Sequence, residues 1–126
     1  MNIVTRITEY LAPVMTGLSP CLGEWDESPE EGDTEFLSIN LMGGPRPGVI
    51  ARFHLIDLWY ASKRGTQDDT MGKMRAYEKA ASIAQYINDN PKSSCFANVI
   101  PITDIIGPKT SDEGRNIYKI TLQVTV

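Results

Sequence analysis

The C-terminal stretch of this chain constrains its fold more than any other. Tyr118, Ile120, Leu122, Val124 and Val126 are apolar and alternate with Lys119, Thr121, Gln123 and Thr125. Side chains along a strand point to opposite faces in turn, so this pattern predicts a strand from about Asn116 with one buried and one solvated face. Such a strand needs neighbours to satisfy its backbone and a second layer to cover its apolar side. A chain whose last residues lie inside its own sheet has no tail left for another domain. With 126 residues, one domain over 1–126 is expected.

The segments before it supply the remaining pieces. Ile3, Val4, Ile7, Leu11 and Val14 recur at helical spacing, with Arg6 and Glu9 turned away and Asn2 available as a cap. Pro13 ends or kinks that helix, and Gly17 to Pro20 reads as a loop. Phe36 to Met42 is a first strand. Val49 to Tyr60 is the longest strand candidate, with Val49, Phe53, Leu55 and Trp59 on one side and Ile50, Ile56, Leu58 and Tyr60 on the other. A strand apolar on both faces is central, or is covered by a partner on its second side.

A second helix is expected from a cap at Asp68, Asp69 or Thr70 to about Asn88, with Met74, Tyr77, Ala81, Ala84 and Ile87 as its apolar stripe. Its alanines make it thin enough to lie close on a sheet, and Asn90-Pro91 stops it. Phe96 to Ile106 reads as another strand. Pro101 interrupts it, which points to an edge or a bulge because proline has no N–H to give a ladder. Gly107 to Asn116 reads as a polar loop. The fold class is therefore α+β: a small mixed or antiparallel sheet of about four main strands with two helices packed on one face.

Charge excludes some functions. A net charge of −4 argues against a general nucleic-acid binder, which needs a basic face to displace phosphate counterions. No apolar run reaches the roughly 18 to 20 residues that span a bilayer. Met1 to Tyr10 lacks the continuous apolar core of a signal peptide. Cys21 and Cys95 are expected to be reduced and buried, with a disulfide between them as the alternative.

Catalytic sets are hard to assemble. His54 is the sole histidine and lies mid-strand, with no serine elbow and no nucleophilic cysteine context. Two distant cysteines without a C-x-x-C give no zinc site. The Gly43 to Gly48 turn is no phosphate cradle, because Pro45 and Pro47 have no N–H to donate. Glu24, Asp26, Glu30 and Glu31 could supply paired carboxylates, but a loop is a poor place to fix two at catalytic separation. No catalytic residue, cofactor or metal is expected.

Two features rise above this background. Seven carboxylates crowd Glu24 to Glu35, a self-repelling stretch read as a solvated loop or as an acidic collar that docks basic partners. Trp59 and Tyr60 close the strand that is apolar on both faces, as core or as a surface that a neighbouring subunit covers.

In this order of segments the chain resembles the tail-terminator (tail-completion) proteins of long-tailed bacteriophages. The matching pieces are Ile3 to Leu11, Val49 to Tyr60 (VIARFHLIDLWY), Met71 to Ile87 and Asn116 to Val126 (NIYKITLQVTV). The Gly43 to Gly48 loop departs from the pattern. The resemblance implies a non-enzymatic virion protein, made in the host cytoplasm. It implies a homo-hexameric ring on the finished tail tube that meets the major tail tube protein on one side and a head connector or neck protein on the other. DNA passes through such a ring without sequence-specific recognition, and no membrane is involved. Charge and pattern nominate the interface residues: Glu24, Asp26, Glu27, Glu30, Glu31, Asp33 and Arg46 as loop contacts, with Trp59 and Tyr60 at a subunit contact. Competing readings are another neck or head-completion adaptor, a small soluble protein-binding module, and a small-molecule enzyme on the same kind of fold.

Overall fold

A computed structural model describes residues 3–22, 34–43, 53–63, 70–92, 98–111 and 114–125. In chain order these form α1 (Ile3–Leu11), a 3-10 turn (Ala12–Val14), β1 (Leu18–Leu22), β2 (Glu35–Gly43), β3 (Phe53–Ala61), α2 (Thr70–Asp89), β4 (Asn98–Pro101), β5 (Ile106–Thr110) and β6 (Asn116–Thr125). The strands make one mixed sheet in the order β1-β2-β3-β6-β4, with β5 also on β6. Only β1 and β2 run parallel; every other pair is antiparallel.

The α+β class is as expected, but six strands are described rather than about four. β1 lies where the sequence reads as a loop. Its strand character comes from pairing with β2, and as an edge strand it tolerates Pro20. β5 begins at Ile106, the last residue of the strand expected from Phe96, and runs on into the expected polar loop. All five of its residues are exposed, and it is a strand because β6 offers it a ladder.

β6 is the spine. Its even residues Tyr118, Ile120, Leu122 and Val124 are buried, and its odd partners Lys119, Thr121, Gln123 and Thr125 are half-buried. The register places Tyr60, Leu58, Ile56 and His54 of β3 opposite that even set. Leu37 and Ile39 of β2 continue the same face, and both helices pack on it. The opposite, outer face has no helix over it among the described residues.

α1 presents Ile7, Tyr10 and Leu11 to the core and gives way to the 3-10 turn at Pro13. α2 turns a different stripe inward from the one expected. Gly72, Ala76, Ala80, Ile83 and Ile87 are buried, whereas Met74 and Tyr77 are each 52% exposed. Two stripes compete on this helix. The sheet selects the one with glycine and alanine because small residues let helix and sheet approach closely, which leaves the bulky side chains at the flank. There Tyr77 packs edge-on against Tyr118, ring centres 5.8 Å apart.

A pair of tyrosines fastens the ends of the two helices together. Tyr10 donates its hydroxyl to the Asn90 carbonyl at 2.6 Å, and Tyr86 donates to the Tyr10 carbonyl at 2.7 Å. The Asn90 side chain in turn donates to the Tyr86 carbonyl at 2.8 Å, closing the C-terminus of α2 ahead of Pro91. Burial, with Tyr86 nearby as a smaller contribution, pushes the Tyr10 phenol up to about 12. Burial also raises Tyr60, helped by its hydrogen bond to Glu35, and raises Tyr118.

The fold therefore favours the protonated phenols, while the unfolded chain releases those protons near the ordinary value of about 10. The share of stability due to Tyr10 is complete below about pH 10 and is lost as pH rises through about 12. Thermal melts in steps across that window should show a falling midpoint, paralleled by phenolate absorbance. A midpoint that stays flat to pH 12 would refute the assignment.

Candidate interaction surface

The outer face is built from alternate residues of each strand, aligned in rows by the register. One row runs Cys21–Ser38–Trp59–Lys119–Ile106 across β1, β2, β3, β6 and β5. The next runs Phe36–Ala61–Ile117–Lys109. Phe36, Ala61 and Ile117 are buried and form a second, small apolar cluster, with Cys21 and Trp59 packed against it. Beyond these rows the face turns polar at Asn40, Asp57 and Thr121, where Thr121 donates its hydroxyl to Asp57 Oδ1 at 2.6 Å.

The structure separates Trp59 from Tyr60. Trp59 is half-buried on the outer face, with the Lys119 ammonium 5.5 Å from its ring centre. That distance is within reach of a cation–π attraction, and it holds a positive charge over an aromatic surface. Tyr60 is 3% exposed in the main core, its hydroxyl donating to Glu35 Oε1 at 2.5 Å. Neighbours on a strand face opposite ways, so a shared surface for the two side chains does not form. Glu24, Asp26, Glu27, Glu30, Glu31, Asp33 and Arg46 lie outside the described residues.

Arg115, which no sequence pattern singled out, anchors one end of this face. It is fully buried and stacks over the Phe36 ring at 4.8 Å. Its Nη1 donates to the Thr34 carbonyl at 2.6 Å and to the Ser62 carbonyl at 2.7 Å. The guanidinium thus ties the start of β2, the end of β3 and the start of β6 to one another. Asn116 and Ser62 add a reciprocal pair beside it, Ser62 N to Asn116 O at 3.0 Å and Asn116 N to Ser62 Oγ at 2.9 Å. The one available signal was a charged side chain directly before a long alternating strand.

The far edge belongs to β4 and β5, which lie end to end along β6. Between them Ile102 N donates to Thr121 O at 2.9 Å, and Thr121 N donates to Thr103 Oγ1 at 3.0 Å. Pro101 is thus at an edge, as its missing N–H requires. Large apolar groups stay exposed around this sheet: Ile100, Ile102 and Ile106 on the far edge, and Leu41 and Met42 on β2. Met42 is 60% exposed.

His54 is half-buried on β3, opposite Val124. Cys21 is half-buried rather than buried as expected; its thiol donates to the Leu37 carbonyl at 3.9 Å, and burial raises its pKa, while Cys95 lies outside the described residues. Among the described residues no three His, Cys, Asp or Glu side chains gather in a way that could hold a metal. A shallow groove of about 330 Å³ runs beside α2, lined by Lys73, Met74, Tyr77, Glu78, Pro108 and Tyr118. No helix among the described residues is long and apolar enough to cross a membrane.

A family model described as phage tail termination protein matches residues 1–126, the whole chain. No curated protein matches it.

Proposed function

The chain belongs to the phage tail termination protein family, a structural component of phage tails, and on that premise we propose that it caps the completed tail tube as a homo-hexameric ring. One side of the ring meets the last layer of the major tail tube protein, and the other forms the joining surface for a head connector or neck protein. No reaction is involved. The work is discrimination: the protein must bind a finished tube end and present to the next tube subunit a surface it cannot extend. Six copies arranged head to tail close by rotation through heterologous contacts.

The observation that carries this reading is the outer sheet face, where Trp59 and Lys119 sit beside exposed apolar groups with no helix among the described residues to cover them. An aromatic flanked by exposed apolar groups on a sheet face without a helix is the kind of surface that a neighbouring subunit covers. Trp59 is the contact residue; Tyr60 is buried in the core and bonded to Glu35. The carboxylates between Glu24 and Asp33, with Arg46, make the loop contacts. The net charge of −4 keeps the lumen from holding DNA in transit.

The test combines mass and capping. Light scattering on a size-exclusion column at high and low concentration should give a hexamer or a monomer–hexamer equilibrium. Added to tube protein during polymerisation, the protein should stop tube growth and appear at one end by electron microscopy. A stable dimer, together with tubes that lengthen unchanged at saturating protein, would sink the proposal.

A further inference from the structure

The outer-face row from Trp59 through Lys119 to Ile106, with Lys109 in the adjacent row, combines two properties that select a partner. It is apolar, Ile106 being 50% exposed, and it is cationic. Lys109 is exposed and Lys119 half-buried over Trp59. Of the carboxylates on described strands, Asp57 faces this side, and it is buried and engaged by Thr121. The groove beside α2, by contrast, is lined by one charge of each sign, Lys73 and Glu78, and selects nothing by charge.

The complement is in the chain itself. Glu24, Asp26, Glu27, Glu30, Glu31 and Asp33 surround Trp25, an acidic stretch with an aromatic in it. We infer that the Trp59–Lys119–Ile106 row and Lys109 receive the acidic stretch 24–33 of a second copy of this chain, an inference that rests on the ring reading above.

Reach favours a second copy over the same one. The stretch is tied to Leu22 on β1 and Glu35 on β2, at one side of the sheet, whereas Ile106 and Lys109 lie on β5 beyond β6. At about 4.8 Å per strand, going out from β1 and returning to β2 costs roughly 33 Å of sideways travel. The chain between those ties extends to roughly 45 Å when fully taut. Trp59 and Lys119 are nearer, at most about 24 Å out and back, so the same subunit's stretch reaches them; at Ile106 and Lys109 little remains for turns or for the distance along the strands. A neighbour in a head-to-tail ring has no such tether, and six copies give each row one acidic stretch and each stretch one row.

A charge-swap mixing experiment tests this. One variant carries Lys109→Glu and Lys119→Glu; a second carries Glu24→Lys, Glu27→Lys, Glu30→Lys and Glu31→Lys, which turns the stretch from acidic to basic. Each alone sets like charge against like and should raise the concentration for half-assembly about tenfold or more, alone or on tail tubes. Mixed in equal amounts they should restore assembly, because the acidic stretch of the first meets the lysines of the second and the reverse. Circular dichroism melts of each variant check that both fold.

Recovery on mixing supports the inference. If mixing fails but a chain carrying all six changes assembles, the acidic stretch folds back on its own subunit and the inference is overturned. If both variants assemble like the unaltered protein, this face is not the contact, and the inference falls while the ring reading stands. If the unaltered protein assembles neither alone nor on tubes, the ring reading itself fails and takes the inference with it.

Discussion

Replacing Arg115 by alanine is expected to lower the unfolding free energy by roughly 3–5 kcal/mol, because the buried Ser62 carbonyl and the part-buried Thr34 carbonyl each lose a charged donor. A domain of this kind has a total stability of about 5–15 kcal/mol, so this loss is a large share of it. The cation over Phe36 is lost as well, and the small cluster of Phe36, Ala61 and Ile117 is left open at one end. Arg115→Met separates the two contributions: it keeps most of the volume but supplies no donor, and should recover little. Arg115→Lys restores one charged donor but not a planar fork, and should recover part. Urea unfolding of the three variants gives the ranking. A Met variant as stable as the parent would show that packing, not hydrogen bonding, is what Arg115 provides.

The second large effect is expected in the main core. Leu122 is fully buried on the helix-covered face of β6, opposite Ile56 on β3 and Pro101 on β4. Leu122→Ala should cost roughly 2–5 kcal/mol, the lost transfer free energy plus the cavity left between sheet and helices. One residue further on, Gln123 is half-buried on the other face. Gln123→Ala should stay within about 0.5 kcal/mol. The contrast between adjacent positions is the measurement that matters, since it reads the sheet's two faces directly. Equal losses at both would mean that the outer face is packed as tightly as the inner one within a single subunit, and the surface proposed for a neighbour would disappear. Because Trp59 and Lys119 share the outer face with Gln123, this stability comparison also bears on the proposed assembly contact.

Where local pattern sufficed, the residues were readable. The period of two in β6, the end of α1 at Pro13, the stop of α2 at Asn90-Pro91 and the edge position of Pro101 all follow from side-chain alternation or from a missing N–H. These depend on a residue and its immediate neighbours. Reading failed where the decision belonged to a partner far along the chain. β1 and β5 are strands because β2 and β6 offer them hydrogen bonds, not because Ser19, Pro20, Gly107 or Pro108 favour extension. The stripe through Met74 and Tyr77 is as good a helical period as the one through Ala76, Ala80 and Ile83, and nothing local chooses between them.

The candidate surface divides the same way. Sequence alone marked Trp59 and Tyr60 as a pair at the end of a strand apolar on both sides, and it determined that they must face opposite ways. It could not say which faced the helices. That was decided by the register of β3 on β6, which sets Tyr60 against Tyr118 in the core and Trp59 against Lys119 outside. Arg115 was beyond local reading for a related reason: a buried guanidinium is stable only where distant carbonyls converge on it, and Thr34 and Ser62 reach it only once three strands have come together. Periodicity, breakers and charge density are properties of the chain. Which face is covered, which charge is buried and which row is left for a neighbour are properties of the packing, because each depends on free energies of contact between segments that the sequence holds apart.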